Sequence, residues 1–360
     1  MSLVNIYINN GDSQITKESY TDCNIIIDDI NTSATIKGRG NSTWAYPKKP
    51  YNIKFLEKTN LLGLGEHKKW VLLANWMDVT SMRNAIALEL ANRIMPNVPK
   101  YRFVKLYLNN IYQGLYLLCE PIEDFDYLFK FDITDDPDDI YFTTLGFNYK
   151  CNIKEPDITL DSPEFLNITN LINDVERLLL SNNFTDVATK IDLRSFIDYL
   201  LVQELVGNEE LQHPKSAYMY VNKNGKICAG PVWDFDWGTF VADDNNFLFR
   251  KYRNYMWYHK LFESQEFINL LKLRWNEVKS IIPSMLSFCE ECKNTISQEV
   301  EINNEMWPIK DIWNEVMPGD AYPNGDYELD FETSYQNIIN WFRNRVNQID
   351  NIITELYATA

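Results

Sequence analysis

No stretch of the 360 residues approaches the roughly 20 consecutive apolar residues of a membrane-spanning helix, so no such span is expected. Positive charge is also short: 34 Lys and Arg face 51 Asp and Glu, a formal net charge of −17. A surface of that sign repels phosphate backbones and anionic lipid, which argues against general nucleic-acid or membrane-surface binding but leaves room for one local basic pocket. Cysteine, at six residues, is too sparse for a disulfide scaffold. Cys289-Glu290-Glu291-Cys292 has CxxC spacing, yet a structural zinc takes four ligands and neither a second pair nor a nearby histidine supplies them. Two ordinary helix cysteines are expected there. The start, Met1-Ser2-Leu3-Val4-Asn5, has no basic region followed by an apolar stretch, which points to a cytoplasmic protein or to a leader already removed. Internal repeats and low-complexity tracts are absent.

What is present is ample core material, with 45% hydrophobic and 14% aromatic residues. At roughly 100–200 residues per domain, the length predicts two domains or one large two-lobed one. Short β-branched or aromatic runs at Asn24–Asp28, Ala34–Gly38, Tyr51–Phe55 and Trp70–Ala74 read as strands. Met82, Ile86, Leu90 and Ile94 then recur every four residues, predicting a helix over Thr80–Ile94 capped by Thr80 or Ser81. Asn109-Asn110 reads as a hairpin turn between Phe103–Leu108 and Gln113–Cys119, because Asn tolerates positive φ. Glu123–Asp139 holds eight acidic residues in seventeen and reads as a linker. Beyond it, amphipathic spacing predicts helices at Glu164–Leu180, Leu193–Val206, Glu266–Ile281, Met285–Glu301 and Thr333–Tyr357. One hairpin interrupts them, with Asn224-Gly225 joining Ala217–Asn222 to Lys226–Trp233.

Four places carry candidate chemistry. In Trp233-Asp234-Phe235-Asp236-Trp237, an extended backbone would put Asp234 and Asp236 on one face and the aromatics on the other. Two carboxylates with a dry backing suit a divalent cation, since Mg²⁺ takes one or two carboxylates plus phosphate oxygens; a solvated Asp pair at a strand end is the plain alternative. The polar loop from Gly207 to Ser216, with Asn208, Glu209, Glu210, His213 and Lys215, reads as a catalytic loop or as a hydrophilic connection. Lys37-Gly38-Arg39-Gly40-Asn41 is a glycine turn whose amides and Arg39 can hold an anion, or simply a tight turn. Lys54 lies on a strand among apolar neighbours, where a lysine either binds phosphate or snorkels to solvent. The order of these features, from glycine turn and strand lysine to helix, hairpin, polar loop and acidic aromatic motif, is that of a protein kinase, without its HRD and DFG spellings.

The residues also carry a resemblance. Arg39-Gly40-Asn41-Ser42-Thr43-Trp44, Lys48-Lys49-Pro50-Tyr51-Asn52-Ile53-Lys54-Phe55, Trp70-Val71-Leu72-Leu73-Ala74-Asn75, Asp78 with Arg83-Asn84, and Gln113 to Glu120 stand in one order. Lys215 to Tyr220 and Gly230 to Trp237 complete it. From about Ala34 to beyond Trp341 the chain resembles the CotH (spore coat protein H) kinase-like family. The resemblance implies an atypical secreted or surface-associated kinase that uses ATP and Mg²⁺ or Mn²⁺ to phosphorylate Ser or Thr of a protein substrate, such as a surface or coat protein. It implies Asp234 as the principal metal ligand, with Asp236 and Asn208 supporting. Lys54 would hold the α/β-phosphates, Arg39 and Asn41 would lie over the nucleotide, Glu120 would hold adenine, and Glu89 would pair with Lys54. Where many family members carry an aspartate base, this chain reads Glu210, whose extra methylene moves the carboxylate by over about an ångström, a scale to which catalysis is sensitive.

The expected fold is therefore α+β, an atypical two-lobed protein-kinase-like fold. A smaller nucleotide-binding lobe would span residues 1–125, and a mostly helical lobe, residues 126–360, would carry the catalytic loop and metal motif. ATP would lie in the cleft between them, and the protein would act outside the cell or at the cell or spore surface, with a cytoplasmic location as the alternative. Three other readings compete. A glycosyltransferase also uses Asp-x-Asp but needs a parallel βαβ unit, against which Asn224-Gly225 argues. A glycoside hydrolase, with Glu120 and Glu123 or Glu209 and Glu210 as its carboxylates, leaves Lys54 and Arg39 idle. A non-catalytic surface or coat adhesion module remains the rival from outside enzymology.

Overall fold

A computed structural model describes residues 1–9, 14–122, 127–133, 141–144, 147–155, 163–212, 216–241, 255–319 and 321–358. His213, Pro214 and Lys215 of the expected catalytic loop lie outside the described residues, as do residues 123–126 and 134–140 of the expected linker. The chain divides into two compact units. Unit 1 is Met1–Ile86, Pro99–Ile122 and Leu286–Asn337; unit 2 is Ala87–Val98, Glu123–Met285 and Ile338–Ala360.

Unit 1 is built on β1 (Ser2–Ile8), β2 (Thr21–Ile27), β3 (Ile30–Gly38), β4 (Tyr51–Asn60), β5 (Glu66–Leu73), β6 (Tyr101–Leu108) and β7 (Ile111–Cys119). They close into a barrel in the order β1-β2-β3-β4-β5-β7-β6. Every neighbouring pair is antiparallel except β1 and β6, which run parallel and seal it. Alternation sets the inside: Cys23, Ile25 and Ile27 of β2 and Tyr51, Ile53 and Phe55 of β4 point inward, joined by Ile36, Trp70, Val104, Leu106 and Leu118. Register carries the layers across strands, as in Ile36 opposite Ile53 and Ile53 opposite Trp70. Asn109 and Asn110 both take positive φ, 48° and 65°, as the hairpin reading requires.

The helix expected over Thr80–Ile94 begins three residues later, as α1 (Arg83–Ile94), because Ser81 sits at φ 55°. Asp78 caps this entry, accepting from the backbone N–H of Arg83 at 2.7 Å and of Thr80 at 2.9 Å.

Unit 2 contains a second sheet of β8 (Tyr127–Ile133), β9 (Tyr141–Thr144), β10 (Phe147–Glu155), β11 (Ala217–Val221) and β12 (Ile227–Ala229), ordered β12-β11-β8-β10-β9. Its helices include α2 (Pro163–Leu180), α3 (Phe184–Lys190), α4 (Leu193–Val206), α5 (Tyr258–Leu261) and α6 (Gln265–Lys279). Two long helices, α7 (Ile282–Met306) and α9 (Phe331–Ala358), are divided between the units, and α8 (Ile309–Val316) belongs to unit 1. Ser195 through Val206 of α4 are all buried, the mark of a central helix. Cys289 and Cys292 are free and buried within α7.

Two expectations are corrected. The amino-terminal strands form a closed barrel, so the chain does not adopt a two-lobed kinase-like fold. The cause is β1, unread in the sequence, which pairs with β2 on one side and β6 on the other and leaves no free edge. The acidic stretch is not simply a linker either, because Tyr127–Ile133 pairs with β10 and β11. Its aromatics fall at every second position, Tyr127, Phe129 and Phe131, a strand pattern hidden by the surrounding aspartates. Among the described residues, no helix is long and apolar enough to cross a membrane.

Two stability predictions follow from burial. Ile53→Ala, inside the barrel, should cost about 2–5 kcal/mol in chemical denaturation, while Lys54→Ala next to it on the outer face should stay within about 0.5 kcal/mol; equal effects would contradict the inward and outward assignment. In unit 2, burial pushes Glu176 up to about 7, and its Oε1 accepts from the Trp257 indole at 3.1 Å. A carboxyl whose folded pKa is raised stabilises the fold below its unfolded value and loses that contribution as pH rises through the folded value. Unfolding free energies of wild type and Glu176→Gln, from chemical denaturation, should therefore agree near pH 4 and separate in favour of Gln up to pH 7–8, by roughly 3 kcal/mol. Parallel curves would show that Glu176 titrates normally.

Candidate functional site

The end of α4 leads straight into the candidate catalytic loop. Arg345 of α9 fixes that end, donating from Nε to the Glu204 carbonyl and from Nη2 to Glu204 Oε2, each at 2.7 Å, with both side chains fully buried. Trp341 adds an indole bond to the Leu205 carbonyl at 2.8 Å. Gly207 then ends the helix at φ 59°, and a Cβ there would stand 2.2 Å from the Trp341 ring. Only glycine meets both conditions.

Asn208 is buried and doubly held, donating from Nδ2 to Gln203 Oε1 at 3.0 Å and accepting at Oδ1 from the Glu210 N–H at 3.0 Å. That bond fixes the backbone at Glu210, which is half-buried with one carboxylate oxygen shielded from solvent. The strand β12 stops at Ala229, so the acidic aromatic motif is not extended as the alternation argument assumed. Asp234 instead sits at φ 69°, and Ser216 Oγ donates to its Oδ2 at 3.0 Å. Phe235 is fully buried and Asp236 nearly so. Beyond the motif the backbone is laced to the catalytic loop: the Glu209 N–H donates to the Gly238 carbonyl at 3.0 Å and the Phe240 N–H to the Val206 carbonyl at 2.8 Å. Two segments far apart in sequence, Asn208 to Glu210 and Asp234 to Asp236, are thereby carried by one hydrogen-bonded junction within unit 2.

The other sequence-derived candidates lie elsewhere. In unit 1, Lys54 stands exposed on the outside of the barrel, its ammonium 6.0 Å from the Tyr20 ring centroid. Asn41 is exposed and accepts from Lys17 Nζ at 3.5 Å. Arg39 donates its backbone N–H to the Pro50 carbonyl. Burial pushes the Cys119 thiol up, and Arg39 is close enough to oppose that rise. Glu120 has both oxygens engaged, Oε2 by the Lys100 N–H at 2.8 Å and Oε1 by His67 Nε2 at 3.2 Å. In unit 2, Glu89 is paired with Arg93 one helical turn on, at 2.8 Å.

Several buried groups in unit 1 carry the resemblance but were given no role by the sequence reading. Lys48 is fully buried, donates to the Ala74 and Leu115 carbonyls, and lies 4.5 Å from the Tyr116 ring centroid; burial holds its ammonium well below the usual lysine range. No pattern distinguishes it from half-buried Lys49 next door. Arg83 is also fully buried, with Asp326 at 2.6 Å and Asp78 at 3.4 Å. Burial alone would lower Arg83, but the two carboxylates more than offset it and hold the guanidinium charged. A capping signal could have given Asp78 its role at the start of α1. Asp326, 243 residues away, had none.

Among the described residues, no group of three or more His, Cys, Asp or Glu side chains converges as a metal cage. The candidate ligands named from the sequence, Asp234, Asp236 and Asn208, are hard-oxygen side chains, two carboxylates and an amide carbonyl, of the kind Mg²⁺ and Mn²⁺ prefer. The two glycines test the junction. Gly238, at φ 61° with a Cβ position 3.1 Å from Glu209 Cβ, should tolerate alanine at a cost of about 1–2 kcal/mol. Gly207→Ala should cost clearly more, since the Trp341 ring is tethered and cannot retreat. Denaturation midpoints rank the two, and the reverse ranking would refute the clamp at the end of α4.

No curated protein matches the chain. A family model does, the one described as CotH kinase protein, over residues 36–349. That span takes in the barrel from the end of β3 onward, the Asn208 and Asp234 junction, and most of α9. The chain belongs to the CotH kinase protein family.

Proposed function

We propose that this protein is a metal-dependent phosphotransferase that moves the γ-phosphoryl group of ATP to a Ser or Thr hydroxyl of a surface or coat protein, outside the cell or at the cell or spore surface. The observation that carries the reading is the junction in unit 2, which sets Asn208 and Glu210 against the loop that bears Asp234 and Asp236. Family membership supports it independently.

The residues fit a hard divalent cation. Ser216 occupies Asp234 Oδ2 and leaves Oδ1 with no protein donor among the described residues. Asn208 Oδ1 accepts one hydrogen bond and keeps a second lone pair. Asp234, Asp236 and Asn208 would hold Mg²⁺ or Mn²⁺, which when bound supplies neutralisation of charge on the phosphate oxygens. Glu210 takes the proton of the acceptor hydroxyl as its oxygen bonds to the γ-phosphorus. The bond to the bridging oxygen breaks and ADP leaves with that electron pair. The Asn208 bond to the Glu210 backbone anchors the longer glutamate side chain, which offsets part of the freedom its extra methylene brings.

Incubation with γ-labelled ATP and Mg²⁺ or Mn²⁺ tests this. Label should pass to the chain itself or to a serine-rich protein, and Asp234→Asn should lower transfer on the order of 10²-fold or more. Nucleotide binding without transfer would identify an enzyme waiting for its own substrate. Absence of both would leave a non-catalytic surface or coat module as the function.

A further inference from the structure

We infer that Gln203 is a positioning residue for divalent-cation binding: it holds the Asn208 amide so that oxygen, not nitrogen, is offered to the metal. This rests on the reading of Asn208 as a metal ligand and adds a residue that has no part in that reading. The need for it is chemical. Asp234 and Asp236 are carboxylates, and either oxygen of a carboxylate can meet a cation. An asparagine amide has one oxygen, and half a rotation about its last bond exchanges that oxygen for an NH₂ group, whose hydrogens repel a cation. Of the three candidate ligands, only Asn208 has an orientation that must be set.

The end of α4 sets it. With Gly207 at φ 59° the chain closes a Schellman turn, in which the Gly207 N–H donates to the Glu204 carbonyl at 3.3 Å and the Asn208 N–H to the Gln203 carbonyl at 3.2 Å. That turn lays Asn208 back over Gln203, and the two side chains meet: Asn208 Nδ2 donates to Gln203 Oε1 at 3.0 Å. On the other side, Asn208 Oδ1 accepts from the Glu210 N–H at 3.0 Å. A backbone N–H can only donate, so that contact identifies the oxygen, and the nitrogen is the atom turned to Gln203. The two partners differ in rigidity. The Glu210 N–H shares the loop with Asn208 and moves with it, whereas Gln203 is 2% exposed in a helix whose residues Ser195 to Val206 are all buried. Gln203 is thus the fixed reference for the amide. Metal ligands are commonly oriented by hydrogen-bonding partners of this kind, whose loss costs about 10–100-fold in metal affinity.

Titration of the full chain with Mn²⁺, read from the electron paramagnetic resonance of the free ion, tests this without any catalytic readout. Gln203→Met keeps the length of the side chain and removes the acceptor oxygen, and should weaken Mn²⁺ binding by about 10–100-fold. Gln203→Glu keeps an acceptor oxygen and should stay close to wild type. The decisive comparison is in an Asn208→Asp background, where a carboxylate has no wrong atom to present. There Gln203→Met should change binding by no more than about twofold. A role confined to packing would weaken both backgrounds alike, and that result overturns the inference. Asn208→Ala separates it from the reading on which it rests. If Asn208→Ala weakens Mn²⁺ binding and Gln203→Met does not, the inference falls alone. If Asn208→Ala binds as wild type does, or wild type binds no Mn²⁺, the metal reading of Asn208 falls with it. Circular dichroism checks the fold of each variant, and Gln203→Leu serves as a second apolar replacement.

Discussion

The buried pair between Arg345 and Glu204 is the constraint from which the geometry of unit 2 follows. Two opposite charges sealed from solvent gain little stability over an apolar pair, but removing one partner strands the other at a cost of about 3–5 kcal/mol. The pair therefore holds α9 against one particular turn of α4. Trp341 bonds the neighbouring carbonyl, and its ring forces glycine at position 207. The left-handed turn at Gly207 then aims Asn208 back at Gln203 and delivers the Glu210 N–H to the Asn208 side-chain Oδ1. A candidate reactive loop is thus positioned by a helix more than a hundred residues further along the chain.

Unit 1 uses a different principle. Its barrel is filled by side chains, and closure through the parallel β1 and β6 pair removes the edges at which another chain could add. Two charged groups are nevertheless buried there, Lys48 on two carbonyls and a tyrosine ring, and Arg83 between two carboxylates. Both tie loops to the framework. The outer face, by contrast, carries exposed lysines such as Lys54. Inside and outside are one residue apart along β4, at Ile53 and Lys54, because a strand reverses its face at every step.

Much of the local structure was legible. The four-residue spacing of Met82, Ile86, Leu90 and Ile94 marked α1, and Asn109-Asn110 and Asn224-Gly225 marked their hairpins, because periodicity and turn chemistry are local properties. The helix start was misplaced by three residues because Ser81 takes a left-handed conformation that its own sequence does not demand. The motif residues Asn208, Glu210, Asp234 and Asp236 were identified as candidates from residue type and order. That their two segments are tied together could not be read from order alone, since it depends on backbone bonds from Glu209 to Gly238 and from Phe240 to Val206. The extended reading of Trp233 to Trp237 failed at Asp234, whose positive φ breaks the alternation.

The sequence by itself determined the family, the excess of acid, most helices and hairpins, and the residue types able to bind metal or accept a proton. Each of these is written in composition or in neighbours a few positions apart. Only the tertiary structure decided that the amino-terminal strands close into a barrel rather than a kinase-like lobe. Closure depends on β1 meeting β6 about a hundred residues later, a pairing no local pattern announces. Tertiary structure likewise decided which lysines are buried, which are exposed, and which segments share a junction. Burial and charge proximity are properties of residues brought together in space, and the free energy that brings them together is spread over the whole core.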